Sequence, residues 1–381
     1  MKANIIGAGS TSFGELWQFG IKEMIIKAAL DALKSANIEA KKVDSLFIAN
    51  CFSGTINGQN DLAAICADEL LIQNCNSVGG GDASGAHAIV QAANAIISKQ
   101  SKIALVIGAE KLSDMQANEI TQISSQLLDQ EHEASCGATL PSMYAMIARM
   151  HMKMHGTSAY QLAMVPVKNH SNALENDIAH FRFRISADDV EKSPLVSDPI
   201  RVLHSAAPCD GCCALVMCDE SIAKESKAAI KIAGSAIGSD FIGVHSRDDI
   251  TTFNSLKLAS NSALSQAKIN IKDISFAELH DSFSISEIIS IEDIGLAKKG
   301  EGGLFIEKGH ANIDGKTPIN PSGGLKGCGH PFAATGIRQA MEAYLQLTGK
   351  ASNRQVKYPR HALTANLSGT GATAVVNIYS L

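Results

Sequence analysis

The sequence predicts an α/β protein made of two similar halves. Three observations carry this. Strand-like and helix-like segments alternate along the chain. One order of motifs occurs twice. In each half a glycine-rich turn runs straight into a helix of small residues.

The elements follow in order. Ala3 to Gly9 reads as a strand. Lys22 to Ala36 has Ile25, Ile26, Ala29, Leu30 and Leu33 at helical spacing, so it is an amphipathic helix. Ser45 to Asn50 is a short apolar strand. Ala83 to Ser98 is an Ala-, Ile- and Val-rich helix with few polar residues, as a helix buried on several sides requires. Ile103 to Gly108 is a continuous apolar run, the pattern of a strand covered on both faces. The repeat then appears. Ala32-Leu33-Lys34-Ser35-Ala36-Asn37-Ile38 followed by Val43 matches Ala263-Leu264-Ser265-Gln266-Ala267-Lys268-Ile269 followed by Ile274. A strand comes after each (Ser275 to His280 in the second half), and then a glycine-rich approach to a helix: Gly79-Gly80-Gly81-Asp82-Ala83-Ser84-Gly85, and Gly327-Cys328-Gly329-His330-Pro331. The last strand is Ala374 to Tyr379. The halves divide near residues 225 to 230, giving units 1–225 and 226–381. Within the first, a long excursion from about residue 111 to 208 reads as an insertion facing a substrate. Its Met-rich run, Met143 to Met154, reads as core packing.

Composition narrows the function. The chain has 381 residues, 45% of them hydrophobic and 19% charged, with a formal net charge of -5; that is enough length for two cores. The acidic balance and the 5% aromatic content argue against nucleic acid as a partner. No run is long enough to span a bilayer, and Met1-Lys2-Ala3-Asn4-Ile5-Ile6-Gly7 lacks the apolar core of a signal peptide, so a cytoplasmic location is expected. The nine cysteines fit reduced, buried thiols. Cys209-Asp210-Gly211-Cys212 has CxxC spacing but no second pair, and no metal or cofactor motif is read from it. Gly7-Ala8-Gly9 lacks the third glycine and the later acidic residue of a dinucleotide site.

The chemistry gathers at the glycine turns. Gly323-Gly324-Leu325-Lys326-Gly327-Cys328-Gly329-His330-Pro331 places a histidine on rigid backbone at a loop-to-helix junction, where an imidazole can be aimed as a base or a donor. Together with Ser53-Gly54-Thr55-Ile56-Asn57-Gly58-Gln59, Asp82-Ala83-Ser84-Gly85, Gly108-Ala109-Glu110-Lys111, Val167-Lys168-Asn169-His170, Asp210-Gly211, His280-Asp281-Ser282-Phe283 and Gly369-Thr370-Gly371-Ala372, this turn resembles the thiolase superfamily over essentially the whole chain. The type it is most similar to is that of the sterol-carrier-protein thiolases and the archaeal and bacterial acetyl-CoA acetyltransferase-like enzymes. The resemblance implies a duplicated five-layered αβαβα fold and a homodimer. It implies acyl-CoA as substrate and no cofactor. The reaction it implies is thiolysis of a 3-ketoacyl-CoA or the reverse condensation. It also implies a small zinc-ribbon/OB-fold protein as a partner.

The resemblance also shows where this chain departs from its family. The nucleophilic cysteine opens the turn before the buried helix; here that position is Asp82. A carboxylate is a poor nucleophile toward a thioester. Asp82 therefore reads first as a cap for the following helix, and second as a base or a mimic of a charged intermediate. The acid/base cysteine of the sterol-carrier-protein type is Ser282 here, and its C-terminal counterpart in other thiolases matches Asn366, neither of which ionises near neutral pH. By resemblance His330 activates the nucleophile and serves one oxyanion site, and His280 donates to the other. Cys136 and Cys328 are the two thiols that could substitute. His87, one turn into the first small-residue helix, is open between a core histidine and a site residue. Two functions follow: an acyltransferase of altered chemistry, or a non-catalytic acyl-CoA-binding or scaffold subunit.

Overall fold

The computed structural model describes residues 3–381; Met1 and Lys2 of the N-terminal segment lie outside the described residues. Among the described residues there are eleven strands: β1 (Asn4–Ser10), β2 (Ser45–Ala49), β3 (Cys75–Val78), β4 (Ile103–Glu110), β5 (Leu195–Ser197), β6 (Ile200–Arg201), β7 (Gly211–Cys218), β8 (Ile230–Ser239), β9 (Phe276–Leu279), β10 (His361–Ser368) and β11 (Thr373–Ser380). β5 and β6 form a small separate pair, and the other nine make one hydrogen-bonded sheet in the order β3-β2-β4-β7-β1-β8-β11-β10-β9.

That order holds the duplication. Outward from the centre, β1-β7-β4-β2 of the first half correspond to β8-β11-β10-β9 of the second. The pairing sense agrees step by step: antiparallel, antiparallel, then parallel. The five-layered αβαβα architecture that the resemblance implies has two β layers. The structure joins them edge to edge through a short ladder, Asn4 with Lys231 and Ile5 with Ile230. The reason is that β1 and β8 would otherwise each present an unpaired edge.

Helices complete five layers. Helix Ile21–Ala36 covers the outer face of β1, β4 and β7, and helix Asn254–Ala267 covers that of β8 and β11. Two helices lie between the sheet halves, Ser84–Ile97 and Phe332–Leu347; the second packs on β4 and β7 on one side and β10 on the other. Their backbones nearly touch. A Cβ on Gly85 would lie 2.1 Å from the carbonyl oxygen of Ala333, and one on Gly336 would lie 2.5 Å from the backbone nitrogen of Ala86. The same device seats the outer helices, since a Cβ on Gly9 would meet Ala32 N at 2.3 Å and one on Gly238 would meet Ser255 O at 2.0 Å. Gly9 thus belongs to helix packing.

The excursion forms helices Leu140–His155 and Ala159–Ala173 with their connecting loops. The Met-rich run is only partly core, which corrects the sequence expectation. Met143, Tyr144, Ile147 and Ala148 are buried, whereas Met146, Met150 and Met154 are exposed. The spacing of four residues puts those three on the opposite face.

Candidate active site

The site forms where both central helices begin. Asp82 follows three glycines. Gly81 has a φ of 61°, and a Cβ there would lie 2.2 Å from Ser368 Oγ, so the turn presses against the β10–β11 connection. That contact decides what Asp82 does. Its Oδ1 accepts from the backbone N–H of Gly369 at 3.0 Å, and no side chain caps helix Ser84–Ile97. The cap expected from the sequence is therefore overturned: the carboxylate faces a distant turn rather than its own helix.

His280 lies just past β9 and is fully buried, and Asn366 lies beside it on β10. The amide nitrogen of Asn366 donates to Nδ1 of His280 at 3.0 Å, which puts the ring's proton on Nε2. His330 precedes helix Phe332–Leu347. Its backbone N–H donates to Ala207 O at 2.9 Å, and its Nδ1 pairs with Thr335 Oγ1 at 2.8 Å. Both Nε2 atoms converge on one oxygen: Asp82 Oδ2 is 3.6 Å from His280 and 3.7 Å from His330. The two rings stand nearly perpendicular, 5.2 Å apart.

Burial settles the charge state. It pushes the His280 imidazole down to about 3, with Asp82 opposing, so His280 is neutral at pH 7. Burial acts to raise the Asp82 carboxyl, but His330, His280 and the Gly369 N–H together outweigh it and hold the carboxyl below its usual range. The site is thus an ionised carboxylate between imidazoles.

The neighbouring residues are held as firmly. Asp281 accepts from Leu325 N at 2.7 Å, Lys326 N at 3.1 Å and Asn169 Nδ2 at 2.6 Å, pinning the glycine turn to helix Ala159–Ala173. Asp210, sitting between the cysteines, receives Leu16 N, Leu112 N, Ser113 N and Ser113 Oγ, and pairs with Lys111 Nζ at 2.9 Å. The CxxC segment is therefore built around its aspartate, and all nine cysteines are free.

A cavity of about 400 Å³ opens onto Asp82, His330, Ser282 and Gly369. Its walls are mostly apolar, with Leu140, Phe181, Phe183, Val202, Leu203 and Phe332 among them. Lys326 also lines it, its amine pushed down to about 8 by burial, with Asp281 opposing. The excursion contributes much of the wall. His280 and Asn366 sit behind the carboxylate rather than on the cavity surface.

No cysteine borders the cavity among the described residues. Cys328 is fully buried, donates to Ser322 O at 3.1 Å, accepts from Asn176 and is pushed up to about 11 by burial. Cys136 lies exposed at the end of a short turn, Ala134–Cys136. His87 packs against the Gly80 turn and does not line the cavity. Sequence reasoning missed Thr335, Tyr144 and Lys326. Tyr144 OH donates to Gly369 O at 2.9 Å, which orients the peptide whose N–H meets Asp82. Nothing local in the sequence signals Tyr144, which comes from the inserted segment.

The duplicated halves, the paired central helices and the histidine-flanked turn define a thiolase-fold protein. The chain belongs to the thiolase family: residues 3–220 match the description "Thiolase, N-terminal domain" and residues 236–381 match "Thiolase C-terminal domain-like". It is 39% identical over 379 residues to an acetyl-CoA acetyltransferase of Methanothermobacter thermautotrophicus, covering 99% of this chain and 98% of that one. It is 32% identical to the benzoylsuccinyl-CoA thiolase subunit BbsB of Thauera aromatica, covering 98% and 96%. Among solved structures, an Ltp2-ChsH2(DUF35) aldolase shares the fold with a TM-score of 0.85 at 24% identity, covering 100% of this chain and 97% of that one. Among the described residues, no helix is long and apolar enough to cross a membrane.

Proposed function

We propose that the chain binds an acyl-CoA in the apolar cavity and acts at its thioester by acid–base chemistry, without an acyl-cysteine intermediate. The observation that carries this is the ionised Asp82 carboxylate, held between two imidazoles at the cavity floor. Asp82 Oδ2 takes a proton from the α-carbon. The C–H electron pair becomes the enolate, and Nε2–H of His330 donates to the thioester oxygen where the charge collects. The enolate then adds to a second carbonyl carbon, whose C=O π pair becomes an alkoxide that takes the proton back from Asp82; in reverse, Asp82 removes that hydroxyl proton, the carbon–carbon bond breaks and the enolate is released. The family's condensation reaction and the aldolase name of a structural neighbour both support carbon–carbon chemistry of this kind.

The second reading is a non-catalytic acyl-CoA-binding or scaffold subunit. The lack of a cysteine at the cavity favours it. So do two relatives: one is called a thiolase subunit, and the other carries a DUF35 partner in its name. A homodimer and a small zinc-ribbon/OB-fold partner are parts of the same proposal.

One measurement separates the two. Acetyl-CoA is incubated with the protein in D2O, and loss of the methyl proton signal is followed by NMR. Exchange that falls about 100-fold or more in Asp82→Asn supports the base. Exchange indifferent to that change, or ordinary thiolysis of acetoacetyl-CoA by the unaltered chain, overturns it. No exchange at all favours the subunit.

A further inference from the structure

Four buried carboxylates in this protein are matched by cations, while Asp281 and Glu110 are met by N–H donors alone. Asp210 meets Lys111 at 2.9 Å, Glu278 meets Arg338 at 3.0 Å, Glu287 meets Lys168 at 3.1 Å and Glu342 meets Arg354 at 3.0 Å. Asp82 is as deeply buried, and its ion-pair partners among the described residues are two histidines, at 3.6 and 3.7 Å. A buried charge needs a partner. Two further buried atoms lack one: Nε2 of His280 and Nε2 of His330, both aimed at Asp82 Oδ2, have no hydrogen-bond partner.

We propose that Asp82, His280 and His330 form a binding site for one first-row divalent transition-metal cation. The donor atoms are Asp82 Oδ2, His280 Nε2 and His330 Nε2, which all lie within 4.8 Å of one another. Two imidazoles and one carboxylate suit zinc or ferrous iron, and are poorly matched to magnesium or calcium. The spacing fits. Two donors each about 2.1 Å from a common tetrahedral ion lie roughly 3.4 Å apart, a few tenths of an ångström inside the observed 3.6 and 3.7 Å. A position left open would face the cavity, which Asp82 and His330 both line.

The surrounding residues already serve such a site. Metal-bound histidines donate their other ring N–H to an acceptor. Thr335 Oγ1 stands at 2.8 Å from His330 Nδ1 and can accept. His280 needs the opposite tautomer from the one described above. Asn366 can provide for it: its Oδ1 is buried without a partner, and a half-turn of the amide puts that oxygen opposite Nδ1. His280 then carries its proton on Nδ1 and frees the Nε2 lone pair. The Gly369 N–H occupies Oδ1 of Asp82 and leaves Oδ2 for the ion. The inference does not rest on the acyl-CoA reading: an ion on Asp82 Oδ2 and His330 Nε2 takes the atoms assigned there as base and donor, so the two describe alternative states of the site, and the test uses no acyl-CoA.

The test is titration of chelator-treated full-length protein with Co2+, read by visible absorption. A second, exposed group must be removed first: Asp129, His132 and His245 also lie close enough to share an ion, so the work is done in a His132→Gln background. One Co2+ per chain with the intense visible bands of a low-coordinate ion is expected, lost in Asp82→Asn and in His330→Gln. Thr335→Val, which removes only the group behind His330, should weaken binding about 10- to 100-fold. Absence of these bands at saturating Co2+, or bands that persist in Asp82→Asn, overturns the proposal. Should Asp82→Asn fail to fold, unchanged affinity in Thr335→Val overturns it instead.

Discussion

Asp82 shows how one residue's meaning changes with its surroundings. From sequence it reads as a helix cap, because aspartate favours that position. In the structure its Oδ1 meets Gly369, which lies 287 residues away along the chain. Replacing it with cysteine puts a thiol at the start of a buried helix, beside two imidazoles. Asp82→Cys is expected to gain measurable acetoacetyl-CoA thiolysis, though at a low rate, since Ser282 and Asn366 supply no second thiol. The loss of ketoacyl absorbance checks this, and silence in the variant would mean that the pocket is not an acyl-CoA site. A pH profile follows from the charge state. The Asp82 carboxyl is held below the usual carboxylate range, burial being outweighed by His330, His280 and the Gly369 N–H, and burial pushes His280 down to about 3. The base is ionised above its pKa, so the α-proton exchange rate should be level from about pH 5 to 8 and fall only below about pH 4. An acid limb near pH 6.5 would instead assign the base to a histidine. The five site positions, Asp82, His280, Ser282, Asn366 and His330, were legible because each lies in a short motif. Thr335 and Tyr144 were not: what matters in each is one hydroxyl, and only folding chooses its partner.

At the scale of the element, glycine positions decide how closely helices approach. Gly85→Ala places a Cβ 2.1 Å from Ala333 O, and Gly336→Ala one 2.5 Å from Ala86 N. Backbone cannot yield as a flexible side chain does. Each substitution is expected to cost about 1–3 kcal/mol in denaturant unfolding, and Gly336→Ala should also disturb the site, because its Cβ meets Asn366 Oδ1 at 3.0 Å. The tie between β7 and the start of the excursion is electrostatic. Lys111→Met leaves Asp210 buried without its cation, an expected loss of about 3–5 kcal/mol by the same measurement. The elements read from the sequence lie within a residue or two of their positions in the structure, since each has its own apolar period. Helix Ile21–Ala36 begins one residue before its expected start, and strand Ile103–Glu110 runs two residues past its expected end. The Met-rich helix was misjudged because composition was read without face: Met143 points inward while Met146, Met150 and Met154 point out.

In the whole molecule the halves are alike in sequence pattern but not independent. Helix Phe332–Leu347 comes from the second half, yet it packs on β4 and β7 of the first. Thermal unfolding should therefore be one cooperative transition in calorimetry, and Gly85→Ala should move it as a unit; two resolved transitions would contradict this. The amino-acid sequence by itself determined the α/β class, the duplication and the family. Those are periodic or local properties, and a periodic pattern survives being read one residue at a time. Tertiary structure alone decided that both sheet halves share a hydrogen-bonded joint. It alone turned Asp82 away from its helix toward Gly369. It alone brought Asp82, His280 and His330 to a common point. Those three residues are far apart in the chain and follow no ligand spacing. Their convergence comes from two helices that start against each other, with glycine at the point of closest approach.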